Sequence, residues 1–171
     1  VMEPLKEENI EMHCILGNHD TFYKNTNELN SLKELFSDKY ENFHLHEKPI
    51  TLNFDGMDIA LLPWVNKENY NSSIDFMNST CAQWLIAHLE LDGYEVLRGI
   101  KYDGGMNPKI FKRFEQVLTG HFHCKQEKGN IIYLGAPYQI TFSDVNEPKG
   151  FWILDTDTRE LEFIDNKQCL F

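Results

Sequence analysis

Ile10-Glu-Met-His-Cys-Ile-Leu-Gly-Asn-His-Asp20 is the stretch on which the fold turns. Its first seven residues are rich in apolar side chains and stop at Gly17-Asn18, the pattern of a buried strand running into a loop. Two later stretches have the same form. Trp84-Leu-Ile-Ala87 is a short apolar run that delivers His88 at its end, and Val117-Leu118 leads into Gly120-His121-Phe122-His123. Three strands thus end in residues of metal-ligand type: Asn18 with His19 and Asp20, then His88, then His121 with His123. In open α/β sheets, side chains far apart in sequence converge outside the carboxyl ends of strands. Imidazole nitrogen and amide oxygen suit borderline divalent ions such as manganese, iron or zinc, whereas calcium favours an all-oxygen shell.

The rest of the chain supplies elements around these three. From Asn27 to Tyr40, Leu29, Leu32, Leu35 and Phe36 fall near one face at helical spacing, which predicts a surface helix with that stripe turned to the core. Ile50-Thr-Leu-Asn-Phe54 alternates with period two, meets Asp55-Gly56 and resumes with Ile59, Leu61 and Leu62, a hairpin signal that Pro63 ends. Lys67 to Asn78 is Asn- and Ser-rich and reads as loop with at most a short helix, and Asp92 to Pro108 as a long loop. Phe111 to Glu115 is a brief helix candidate. Ile131-Ile-Tyr-Leu134, Phe151-Trp-Ile-Leu154 and Leu161-Glu-Phe-Ile164 are strand candidates, the last two joined by a turn at Asp155-Thr-Asp-Thr158. No internal repeat or linker points to a second domain.

Composition narrows the function classes. With 171 residues, 42% of them hydrophobic, the chain can bury one core. No run of about 18 apolar residues offers a membrane span, and the acidic Met2-Glu3-Pro4-Leu5-Lys6-Glu7-Glu8 is unlike a signal peptide, so a soluble, cytoplasmic protein is expected. Cys14, Cys81, Cys124 and Cys169 are scattered, with no Cys-x-x-Cys pair, and read as reduced thiols. A formal charge of -11 repels a polyanion on average. Bound metal ions can still hold phosphate, and Lys109, Lys112 and Arg113 form a local basic strip.

Gly17-Asn18-His19-Asp20, a single His88 closing a strand, and Gly120-His121-Phe122-His123 stand in the order that resembles the calcineurin-like metallophosphoesterases. Leu61-Leu-Pro-Trp64, His88-Leu-Glu-Leu-Asp-Gly93, Tyr133-Leu-Gly-Ala-Pro137 and Lys149-Gly-Phe-Trp152 narrow the likeness. They resemble the recombination endonuclease subunits of T-even-type phages and the related bacterial SbcD nucleases. The resemblance implies a β-sandwich flanked by helices, four layers α/β/β/α, in which residues 1–171 are the C-terminal portion of a single phosphoesterase domain. It implies a DNA exo- or endonuclease of recombination and repair, with two divalent ions, manganese foremost, activating water for in-line attack on phosphorus. Asn18, His88 and His121 would be ligands of one ion and His123 of the other. His19 would be the catalytic histidine, stabilising the transition state or protonating the leaving oxygen, with Asp20 orienting its imidazole. DNA and an ABC-type ATPase subunit of the SbcC kind are the implied partners.

The same family pattern includes an early Asp-x-His and a Gly-Asp whose carboxylate bridges the ions, and neither pattern occurs in this chain. The sequence therefore predicts a truncated domain without its N-terminal strands and helices. Such a domain would be inactive alone, hold at most one weakly bound ion, and associate as a homodimer through exposed apolar surface. Other readings stay open on sequence alone. Asn18-His19-Asp20 can be a plain turn, His88 a core histidine, and His121 and His123 a strand's alternating histidines. The activity can be that of a phosphatase or nucleotidase, or the chain a non-catalytic interaction remnant. His13, His44 and His46 carry no motif.

Overall fold

β1 (Met12–Ile15) and β2 (Phe43–His46) pair in parallel as a sheet of their own. They are followed by β3 (Ile50–Phe54), β4 (Met57–Leu62), β5 (Trp84–His88), the small hairpin β6 (Glu95–Leu97) and β7 (Ile100–Lys101), β8 (Gln116–Gly120), β9 (Gln126–Lys128) and β10 (Ile131–Tyr133). A last hairpin comprises β11 (Gly150–Leu154) and β12 (Leu161–Asp165). The computed structural model describes residues 2–36, 39–168 and 170. Six strands form one mixed sheet of order β3-β4-β5-β8-β10-β9, parallel from β4 through β10 and antiparallel at both edges. The hairpin at Asp55-Gly56 forms as expected: both residues take positive φ, 50° and 91°, the backbone that a tight two-residue loop requires.

Both faces of the six-stranded sheet are buried. Ile59 and Leu61 of β4, Trp84 of β5, Leu118 of β8 and Ile132 of β10 face one side, where Ile15, Trp152, Leu154 and Leu161 pack on them. Ala60 and Leu62, Leu85 and Ala87, Val117, and Ile131 and Tyr133 face the other, covered by Met77, Phe111 and Phe114. Strands buried on both faces read as unbroken apolar runs. This explains why Trp84–Ala87 shows no alternation. The result is the expected mixed α/β class: a six-stranded sheet between a helix-and-loop layer and two small strand pairs.

Several expectations about the connecting elements need correction. α1 is Met2–Glu7. α2 is only Ser31–Phe36, with residues 37 and 38 outside the described part, instead of a helix from Asn27 to Tyr40. It begins where the Asn30 side chain accepts the Lys33 amide; before it, Phe22 N–H donates to the Leu29 carbonyl and Thr21 bridges Asn30, closing a loop. Six residues make under two turns, too short for a core-facing stripe. No α2 residue is buried, and Leu29 and Leu35 are exposed. α3 (Tyr70–Ser79) is longer than the Asn- and Ser-rich stretch suggested, because Ile74, Phe76 and Met77 pack on the sheet and supply what propensity lacks. The loop after Asp92 holds the β6–β7 hairpin, and the brief helix expected from Phe111 to Glu115 is instead a 3-10 turn that starts three residues earlier, Pro108–Phe111. Cys14, Cys81 and Cys124 are free thiols; Cys169 lies outside the described residues.

Candidate metal centre at the carboxyl ends of three strands

β5 and β8 lie side by side with His88 opposite Gly120, so His88 and His121 leave the sheet at the same end. The end of β1 is drawn to that edge by Leu16, which is fully buried and whose carbonyl accepts the Trp64 amide at 2.8 Å. Asn18 follows two residues later. The three side chains then meet. Asn18 Oδ1 is 3.0 Å from His88 Nε2 and 3.3 Å from His121 Nδ1, and the two imidazole nitrogens are 3.2 Å apart. For metal–ligand bonds of about 2.1 Å, neighbouring donors sit about 3.0 Å apart in an octahedron and about 3.4 Å apart in a tetrahedron. The observed triangle falls in that interval.

Backbone constraints hold this geometry. A Cβ on Gly17 would lie 2.9 Å from His88 Cε1, close enough that the ring or the loop would have to move, and one on Gly120 would make a tight contact 3.3 Å from His88 Nδ1, so both glycines leave room for the imidazole. His121 itself has φ of 101°, a region L-residues avoid and one that persists where surrounding structure enforces it. Trp64 stacks on the His121 ring at 5.8 Å between centroids and meets the His88 ring edge-on at 6.0 Å. Beyond His88, the Thr119 hydroxyl accepts the Leu89 amide, while the Tyr133 hydroxyl donates to the Leu89 carbonyl and accepts the Leu91 amide. Those bonds lead the chain to Glu90, a residue the sequence reading did not single out.

Glu90 Oε1 lies 3.1 Å from His121 Nε2, and Glu90 Oε2 accepts the Tyr102 hydroxyl at 3.1 Å. A carboxylate on Nε2 favours the proton on that nitrogen and leaves the His121 Nδ1 lone pair facing the triangle, the arrangement by which outer carboxylates orient histidine ligands. Burial, then the nearby His121 and His19, pushes the His88 imidazole down to about 4. Burial also lowers His121, with Glu90 opposing and His19 and His123 adding to the fall. Both rings are neutral at pH 7, the form that binds metal. Three lone-pair atoms converging in a partly buried place need a proton or a cation between them. The donor set, one amide oxygen and two imidazole nitrogens, fits a borderline divalent ion. Among the described residues no group of three or more His, Cys, Asp and Glu side chains is placed to hold an ion; the cluster has two histidines, and its third corner is an amide. A cleft of about 150 Å³ beside it is lined by Trp64, His88, Glu90 and Gly105.

The other residues singled out in the sequence are placed as follows. His19 is exposed and near enough for its charge to act on both His88 and His121. Asp20 Oδ2 accepts the Gly17 amide at 2.7 Å and closes the loop that carries Asn18 and His19. His123 stands apart: its Nδ1 lies 3.6 Å from Asp144 Oδ2, and Lys149 donates to its carbonyl. The Asp144–Lys149 pair is deeply buried. Burial would raise the Asp144 carboxyl, but the Lys149 ammonium and the Thr141 and Ile140 amides outweigh it and hold it well below the usual carboxylate range. In the basic strip, Arg113 donates to the Met77 and Thr80 carbonyls at the end of α3, which gives it a structural task. His13, without a motif, stacks from β1 on both His44 and His46 of β2.

No family model matches the chain. Three curated proteins do. Exonuclease subunit 1 of Enterobacteria phage T4 is 38% identical over 166 residues, 97% of this chain and 48% of that protein. The SbcD component of the SbcCD nuclease of Staphylococcus epidermidis is 31% identical over 101 residues, 55% of this chain and 26% of that protein. DNA double-strand break repair protein Mre11 of Nanoarchaeum equitans is 39% identical over 44 residues, 26% of this chain and 12% of that protein. The chain thus spans about half the length of the phage protein it matches, and less of the other two. With the motifs and the fold, these similarities relate the chain to metallophosphoesterase nucleases of the phage exonuclease subunit 1, SbcD and Mre11 kind.

Proposed function

We propose that this chain is part of a divalent-metal-dependent phosphodiesterase that cleaves DNA in recombination and repair. The observation that carries the reading is the triangle of Asn18 Oδ1, His88 Nε2 and His121 Nδ1, with all three separations between 3.0 and 3.3 Å. Manganese is the ion the family resemblance implies; the donor set itself suits any borderline divalent ion. A bound ion supplies charge against the phosphate and a water of lowered pKa. His19, exposed at the rim, donates a proton to the leaving sugar oxygen, and Asp20 fixes the loop from which it does so. The strand pairs β1–β2 and β11–β12 are parts of the second sheet of a four-layer α/β/β/α sandwich.

The residues of this chain supply one side of an ion, so alone it holds one ion weakly, and cleavage needs carboxylate ligands that these residues do not contain. With a charge of -11, DNA is presented by a partner, an ABC-type ATPase subunit of the SbcC kind, in the cytoplasm. No helix among the described residues is long and apolar enough to cross a membrane. Exposed apolar side chains such as Phe151 and Ile153 support pairing into a homodimer.

The test uses a longer chain that contains this one together with the missing carboxylate ligands. Manganese-dependent degradation of linear DNA, lost in His19→Ala, is expected. Turnover of a phosphomonoester with DNA left intact would replace the nuclease reading by a phosphatase.

A further inference from the structure

The loop that carries Asn18 and His19 goes on to place two large aromatic rings in water. Phe22 is 72% exposed and Tyr23 54%, and they meet edge to face with centroids 4.8 Å apart. Single exposed apolar side chains are ordinary. A contacting aromatic pair on a tied loop is a built feature. The Thr21 hydroxyl donates to the Asn18 carbonyl at 3.2 Å, the Phe22 amide to the Leu29 carbonyl at 2.9 Å and the Ser31 amide to the Asp20 carbonyl at 2.8 Å, while Asp20 Oδ2 accepts the Gly17 amide. The rings are thus held on the same short arc as the Asn18 amide and the exposed His19. Phe22 lies four residues on from Asn18, at most about 14 Å of chain, and a stacked strand advances about 3.4 Å per nucleotide. A base on these rings is therefore only a few nucleotides from a phosphate at the centre. Thr21-Phe-Tyr-Lys-Asn-Thr-Asn27 contains one cation, Lys24, and no carboxylate, in a chain whose net charge is -11. Phosphate contacts supply little affinity to so acidic a chain, whereas stacking acts on the faces of bases and is insensitive to their sequence.

We propose that Phe22 and Tyr23 form a stacking platform for unpaired DNA bases beside the phosphate to be cleaved, a role that rests on the DNA-cleaving reading above. In a duplex both faces of a base are covered by its neighbours, so the platform selects single-stranded segments and frayed ends. The polar neighbours of the rings favour this occupant over a second copy of the chain. An apolar contact between copies would take the exposed Lys24 and Asn25 out of water along with the rings, at a cost unless each found a hydrogen-bond partner, whereas a base with its phosphate offers partners to both.

Fluorescence anisotropy of the 171-residue chain in saturating manganese tests this with two labelled strands of equal length, an oligodeoxythymidylate and its abasic counterpart, which keeps the phosphates and lacks the bases. The oligodeoxythymidylate is expected to bind at least about 5-fold more tightly, the gain from one stacked base. Phe22→Ala combined with Tyr23→Ala should bring it down to the abasic strand's affinity and leave that strand's affinity unchanged, while Phe22→Trp should keep the preference. Rings that served only the loop, or a contact between copies, would alter the melting temperature or the oligomeric state on substitution without touching the preference, and that result overturns the proposal. Equal affinity for the two strands in the unaltered chain overturns it even if the variants do not fold, and so does failure to bind either strand. Repeating the titrations with a chelator tests the metal reading separately. Binding of the abasic strand that manganese does not strengthen, with the thymidylate preference still lost in the double variant, would sink the metal-dependent reading and leave the platform standing.

Discussion

Gly17 shapes the candidate centre as much as its histidines do, since the His88 ring stands within 2.9 Å of where its Cβ would be, and Gly120 leaves the ring room on the other side. Gly17→Ala would force the ring or the loop to move. It should lower stability by about 1–3 kcal/mol, the usual effect of overpacking, and weaken manganese binding at least tenfold. Denaturant unfolding and calorimetric titration would check the two effects; an unchanged affinity would remove His88 from the ligand set. Glu90→Gln keeps the size of the side chain but not its charge. It should weaken metal binding by about 10–100-fold while leaving the fold in place. At this scale the sequence was informative about Asn18, His88 and His121, because each follows an apolar strand and the strand ends must converge. Glu90 was illegible. Its partner His121 lies on a neighbouring strand's exit, and only the register of His88 with Gly120 reveals that they meet.

Elements depend on fewer contacts than their lengths suggest. α3 has no side-chain cap at its start, and its end is held by the Arg113 guanidinium on the Met77 and Thr80 carbonyls. Arg113→Ala should destabilise the protein by about 1.5–3 kcal/mol, as expected for a hydrogen bond to a charged group, without altering metal affinity. A loss of DNA binding at unchanged stability would instead return Arg113 to the basic strip. The segment before β11 depends on Asp144. Its carboxyl is depressed in the folded protein, so its stabilising effect is present above the unfolded value of about 3.9 and is lost as pH falls from there toward the folded value. Across that window each pH unit removes about 1.4 kcal/mol. Urea midpoints at pH 7 and pH 3 should show a large gap between the unaltered chain and Asp144→Asn at the higher pH and a smaller one at the lower. The Asp55-Gly56 hairpin was readable because a two-residue loop admits few sequences. α3 was not, because Asn and Ser argue for a loop and its packing on the sheet overrides them.

At the scale of the whole molecule, charge and chemistry pull apart. A chain of net charge -11 should bind DNA weakly by itself, and what binding there is should require a divalent ion. Fluorescence anisotropy of labelled DNA with manganese and with a chelator would test this; equal, tight binding in both would place the DNA contact on a protein surface instead. The likeness to metallophosphoesterase nucleases was legible because three strand-end motifs occur in one order. The strands at 151–154 and 161–164 were legible too, but not their seat on the sheet, which is made by Trp152, Leu154 and Leu161 together with Ile15, residues scattered over the whole chain. The central claim is that Asn18, His88 and His121 enclose a divalent cation. Anomalous diffraction from crystals soaked in manganese tests it most directly. A single peak within about 2.4 Å of Asn18 Oδ1, His88 Nε2 and His121 Nδ1 is the predicted result, and a saturated soak with no peak inside that triangle would contradict it.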